Sequence, residues 1–275
     1  MADPGRVIVI TGSAQGIGRA TAVAAGRRGM RVVGIDINTL GGEETATLVR
    51  ETQSESWFFA CDIADNEQIE RTFATIEAEV GSVDVLVNSA TLVIHEVPET
   101  ITRDQWQRVM DVSLTGAVFV TQQVGRSMIQ SGRGGSIVNL SSIAGVAALG
   151  RGNFAYSVAK TALLGATREF AVEWAGYGIR VNAIAPSQVD TEGFRLLVGN
   201  ERVVDGNILA AALPGIPLGR LAQSADIVAA ILFLASDDAA FITGVTLPVD
   251  GGSLALHAGG SLRKATSTDR EAHNE

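Results

Sequence analysis

Seven short runs rich in β-branched and aromatic residues recur along the chain at helix-sized intervals, and this rhythm restricts the fold more than any other property of the sequence. The runs are RVIVI (6–10), RVVGID (31–36), SWFFAC (56–61), VDVLVN (83–88), GSIVNLS (135–141), IRVNAI (179–184) and VTLPVD (245–250). Between them lie segments such as Gly16 to Arg28, Asn66 to Val80, Trp106 to Ser131 and Phe154 to Ala175, whose apolar residues fall at three- and four-residue spacing. Strands apolar on both faces and separated by helices pair in parallel through right-handed crossovers. The expected architecture is α/β: a doubly wound domain with a seven-stranded parallel sheet flanked by helices.

A chain of 275 residues suits one such domain, and no linker divides it. The domain is expected over 1–256. The connection from 186 to 220 is too long for an ordinary loop and carries Phe194, Leu196, Leu197, Val198, Ile208, Leu209 and Leu213, the composition of a lid over the strand ends. Residues 257–275 lose the apolar period and read as a polar, mobile tail.

Composition excludes several functions. A net charge of −9 argues against a nucleic-acid surface. No apolar run is long enough to span a bilayer, and MADPGRVIVI lacks the layout of a signal peptide, so no membrane association and a cytoplasmic location are expected. His95, His257 and His273 are scattered without metal-ligand spacing, so no metal is expected. The single cysteine, Cys61, reads as a buried small hydrophobe. The hydrophobic fraction of 46% is high enough to suggest that helical faces are buried between subunits.

The first run leads directly into Thr11-Gly12-Ser13-Ala14-Gln15-Gly16-Ile17-Gly18, where a helical pattern begins. Glycines there permit a tight turn, close approach of the backbone to a pyrophosphate, and close helix–strand packing; the N–H groups of the helix start then hold the phosphates. This is the Rossmann-type arrangement. Gly12, Gln15, Gly16, Ile17 and Gly18 are the candidate contacts. Asp36 ends the second run, where a carboxylate accepts hydrogen bonds from the adenosine ribose, and Ile37 follows it. A 2′-phosphate would be repelled by Asp36, and neither 13–17 nor 37–41 holds an Arg or Lys to receive one, so NAD is preferred over NADP. Asp62 and Ile63 are candidates for the adenine side, with helix capping an alternative for Asp62.

In AYSVAK (155–160), Tyr156 and Lys160 are four apart and share a helix face. A cation that close favours the phenolate and lowers the phenol pKa, suiting it to acid/base work; a surface Lys beside a packed Tyr is the bland alternative.

Taken in order, TGSAQGIG (11–18), NSAT (88–91), NLSS (139–142), YSVAK (156–160), RVNAIAPS (180–187), VDT (189–191) and FITGVTLPVDGG (241–252) make the chain similar to the short-chain dehydrogenase/reductase family over about 5–253. The glycine spacing resembles its single-domain oxidoreductase branch, and the Tyr–Lys spacing resembles carbonyl rather than enoyl reduction. The resemblance implies Tyr156 as acid/base, Ser142 orienting the substrate oxygen, and Lys160 binding the nicotinamide ribose while lowering the Tyr156 pKa. It also implies Val189 and Thr191 at the carboxamide and Ser89 and Ala90 at the ribose.

Three positions depart from the pattern. Thr91 replaces a usual Gly, with ordinary backbone angles expected. Ser187 replaces another. Ser113, in MDVSLTG, stands where the family has a catalytic Asn that holds a relay water, and is expected to keep the relay through a shifted or additional water.

The lid, with LVIHEVPE (92–99) and IAGVAALGRGN (143–153), suggests a cleft for an apolar cyclic or aryl secondary alcohol or diol, or its ketone, with His95, Arg151 and Gln188 as candidate polar contacts. A homotetramer, or a homodimer, is implied through the helices 106–131 and 154–175. A non-catalytic NAD-binding scaffold or sensor, or an isomerase or dehydratase using bound NAD, are the rival readings.

Overall fold

In a computed structural model of the chain, which describes residues 5–150, 152–199 and 213–256, all seven runs become strands. They are β1 (Val7–Thr11), β2 (Arg31–Asp36), β3 (Ser56–Ala60), β4 (Val85–Asn88), β5 (Gly135–Leu140), β6 (Ile179–Pro186) and β7 (Thr246–Val249). Every pairing is parallel, in the order β3-β2-β1-β4-β5-β6-β7. Ile8 and Ile10 of β1 enter the core on one face of the sheet, and Val7 and Val9 enter the core on the other. This period of two explains why the strands show no polar alternation.

The layers are built by α1 (Gly16–Gly26), α2 (Thr39–Arg50), α3 (Asn66–Glu79), α4 (Arg103–Met110), α5 (Ala117–Ser131), α6 (Phe154–Trp174), α7 (Glu192–Gly199) and α8 (Ser224–Ala235). The period from Trp106 to Ser131 lies in one unbroken helical run. It starts earlier, at Arg103 behind a Thr102 capping box, and between α4 and α5 it widens into a π-helical turn over Asp111–Gly116. Gly116 meets the Ile63 carbonyl there, where a Cβ would overlap it, so the helix passes the β3–α3 connection at backbone distance.

Of the expected lid, α7 and the stretch from Leu213 are described, whereas 200–212, with Ile208 and Leu209, lies outside the described residues. So do Arg151, the tail 257–275 with His257 and His273, and the side chains of Leu196, Leu197 and Val198. No helix among the described residues is long and apolar enough to cross a membrane.

Candidate functional site

The strand order reverses between β1 and β4, because the chain moves outward through β2 and β3 and then returns to the opposite side of β1. Such a reversal leaves a crevice at the carboxyl ends of the strands. A cleft of about 640 Å³ lies there, and it gathers residues from all along the chain, from Gly12 to Phe194. Every residue singled out for cofactor contact lines it except Gly18. Gly18 packs beneath the turn, where a Cβ would overlap the Gly12 carbonyl.

Gly12 has φ +70°, and a Cβ on it would sit 2.7 Å from the Ala90 backbone, so the turn after β1 presses directly on the chain leaving β4. Thr11 seals the contact: its hydroxyl accepts hydrogen bonds from the Ser89 and Ala90 amides at 3.1 and 3.2 Å. At the start of α1, Gln15 makes no side-chain cap, which leaves the first-turn N–H groups available to an anion. Thr191, at the entry to α7, lies against Gly16 and caps the Phe194 amide. Val189 is joined to Ala222 by a short bridge.

Asp36 is aimed by two amides. Its carboxylate accepts from Ala14 at 2.9 Å and from Asn38 at 2.9 Å, and Asn38 in turn caps α2. Exposed Ile37 stands beside it. The nearby guanidinium of Arg19 is committed elsewhere, to the Ala14 carbonyl at 3.0 Å and to Glu44 at 2.8 Å. Asp62 accepts from the Ala64 amide and lines the cleft with Ile63; the cap of α3 is Asp65, not Asp62. Burial pushes the Cys61 thiol up, partly offset by a hydrogen bond with Thr72.

Ser142 ends β5 and starts a short 3-10 turn, its hydroxyl accepting from the Ala144 amide at 3.1 Å and hydrogen-bonded to Tyr156. Ser141 turns away, donating to the Lys160 carbonyl at 2.9 Å. The Lys160 ammonium lies 5.6 Å from the Tyr156 ring centre and donates to the Leu140 carbonyl at 2.6 Å. The spacing therefore places the pair as expected, but not with the expected electrostatics. Burial raises the Tyr156 pKa, and the Ser142 hydrogen bond offsets only part of the rise. Lys160 is itself fully buried and pushed down to about 7, so near neutrality much of its charge is gone. Desolvation of both groups, which sequence spacing does not report, outweighs their attraction.

Ser113 is buried in the π-helical turn and does not line the cleft. Its hydroxyl meets the Leu92 amide at 3.0 Å, the Leu92 carbonyl at 3.2 Å and the Thr91 hydroxyl at 3.1 Å. One hydrogen and two lone pairs are thereby used up, which leaves the expected relay water no position on this side chain. Thr91 has no positive φ, as expected, and lines the cleft.

Glu96 and Asn153 form a bridge, with the Glu96 amide on the Gly152 carbonyl at 2.8 Å, joining the two segments expected to wall the substrate space. Gln188 and Ser187 line the cleft; His95 does not, and its Nδ1 is buried without a partner among the described residues. Among the described residues no cluster of potential metal ligands occurs. Reading the sequence missed Thr11, whose signal lay in its place before Gly12, and the Leu140 carbonyl, which leaves no side-chain signal.

A family model described as Enoyl-(Acyl carrier protein) reductase matches residues 12–253. The chain is 38% identical over 248 residues to a D-threitol dehydrogenase of Mycolicibacterium smegmatis, covering 90% of this chain and 92% of that protein. It is 38% identical over 253 residues to a cis-4-hydroxycyclohexanecarboxylate dehydrogenase of Sinomonas cyclohexanicum, covering 91% and 97%. The crystal structure of carveol dehydrogenase from Mycobacterium avium in complex with NAD superimposes with a TM-score of 0.85 at 31% identity, covering 92% of this chain and 98% of that one.

Proposed function

The chain belongs to the short-chain dehydrogenase/reductase family, oxidoreductases that act on alcohols with a nicotinamide cofactor, and on that premise we propose that it is an NAD-dependent dehydrogenase of an uncharged, apolar cyclic or aryl secondary alcohol or diol. The observation that carries this reading is the convergence of Ser142, Tyr156 and Lys160 on the cleft that also holds the glycine turn and Asp36.

The uncapped start of α1 and the turn at Gly12 fit a pyrophosphate, Asp36 a ribose diol, and Ser89, Ala90, Val189 and Thr191 the nicotinamide end. When bound, NAD supplies the hydride acceptor. Tyr156 takes the alcohol proton while Ser142 donates to the same oxygen and fixes its position. Lys160 would hold the ribose hydroxyls, and in its protonated form it would lower the raised Tyr156 pKa. Ser113 acts on the loop after β4 rather than on a proton.

NAD rather than NADP is supported by Asp36 and by the commitment of Arg19 to Ala14 and Glu44. Among the cleft-lining described residues Lys160 is the one cationic side chain, while Val93, Val112 and Phe194 are apolar, which favours a neutral substrate. Enoyl reduction, the description carried by the family model, is disfavoured by the Tyr156–Lys160 spacing. Exposed Phe119 on α5 and Val158 and Val172 on α6, the last 77% exposed, support assembly into a homotetramer or homodimer.

The test is NADH formation, followed by absorbance, with a panel of cyclic alcohols. Accumulation proportional to substrate, lost in Tyr156→Phe, is expected. Binding of NAD without NADH formation from any alcohol would instead favour the scaffold or isomerase readings.

A further inference from the structure

Two of the departures from the family pattern, Thr91 and Ser113, lie 22 positions apart and are bonded to each other. The polarity of that bond follows from valence. A carbonyl cannot donate, so the contact with Leu92 O uses the one hydrogen of Ser113. Its lone pairs then accept from the Leu92 amide and from Thr91, which makes the threonine the donor. Exposed Thr91, with its hydrogen turned inward, offers the cleft lone pairs and no donor.

We propose that Thr91, held in this polarity by Ser113, is a specificity-determining residue that accepts a hydrogen bond from an O–H group of the bound ligands. The group is either a second hydroxyl of the substrate or a ribose hydroxyl of the cofactor. A carboxylate, ether or ketone oxygen in the same place meets lone pairs and is disfavoured. The inference rests on the alcohol-dehydrogenase reading and deepens it, because it selects diols over simple alcohols if the substrate is the donor.

The experiment compares wild type, Thr91→Val, Thr91→Ser and Ser113→Ala. NADH affinity is measured by fluorescence titration, and KM and kcat are measured for a vicinal cyclohexanediol and for cyclohexanol. One neutral hydrogen bond corresponds to about fivefold in affinity. Thr91→Val is expected to weaken NADH binding by that factor if the cofactor is the donor, or to raise KM for the diol but not for cyclohexanol if the substrate is. Thr91→Ser keeps the wild-type behaviour. Ser113→Ala frees the Thr91 hydrogen, lowers the same preference and speeds amide exchange at Leu92; the double variant with Thr91→Val is no worse in ligand preference than Thr91→Val alone. Thr91→Val with both NADH affinity and diol preference within twofold of wild type overturns the proposal, as does Thr91→Ser behaving like valine. If wild type oxidises no alcohol, the functional reading fails by itself. The NADH titration then decides the pair, with unchanged affinity in Thr91→Val overturning it.

Discussion

Replacing Lys160 with methionine removes a buried ammonium whose cost can be worked from its pKa. The ordinary value of 10.5 falls to about 7 in the folded protein because the group is desolvated. Between those values the unfolded chain holds a proton that the folded protein has released. Stability therefore rises with pH across the window, at up to about 1.4 kcal/mol per pH unit, and is lowest below pH 7, where both states carry the charge. Across the whole interval this amounts to about 5 kcal/mol, and between pH 7 and 9, with the partial titration at the lower end included, to about 2 kcal/mol. Lys160→Met lacks this dependence. Its Leu140 carbonyl loses a donor, but that loss is the same at every pH. Urea denaturation of the ligand-free wild type and variant at several pH values gives the stability difference, in which contributions from other titrating groups cancel. The wild type should gain on the variant by about 2 kcal/mol from pH 7 to 9. A difference that stays flat over that range, or that moves the other way, would refute the assignment of a desolvated, largely neutral Lys160.

Gly12→Ala forces a side chain to φ +70° with its Cβ 2.7 Å from the Ala90 backbone, at a strain of about 1–2 kcal/mol before any clash. NADH affinity should fall on the order of tenfold as the chain after β4 is displaced; calorimetric titration at wild-type affinity would count against the cradle. Asp36→Asn combined with Ile37→Arg removes the carboxylate that repels a 2′-phosphate and adds a cation at an exposed position. The ratio of kcat/KM for NADP to that for NAD is expected to rise by on the order of a hundredfold, the size of one or two charge-assisted contacts, and an unchanged ratio would mean that Asp36 does not set the preference.

Much of the fold could be read from the sequence because β1 and its neighbours are buried on both faces, so their apolar runs are unbroken. The helices α2 and α8 were less plain. Gly41 and Gly42 disguise the first, which lies against Ala14 and Phe58, and SADIVAAILFLA is too uniformly apolar to show a period. The π-helical turn leaves no trace in DVSLTG, since the apolar spacing runs through it and only the Ile63 carbonyl explains Gly116. In the site, local patterns located the glycine turn, Asp36 and the Tyr156–Lys160 pair. Burial of Lys160 and saturation of Ser113 depend on partners far along the chain, and spacing cannot report them.

The reversal of strand order has a consequence for how such a chain changes over time. Adenosine recognition, as proposed, is written in β1 to α3, and the reacting groups in β4 to α7. The halves meet at the β1–β4 pairing and through the Thr11 hydroxyl on two backbone amides, and their side chains interleave in both cores. A hybrid joined at Gly81 between two relatives whose core side chains match would inherit cofactor preference from one parent and substrate from the other, which makes recombination at that seam a route to new pairings.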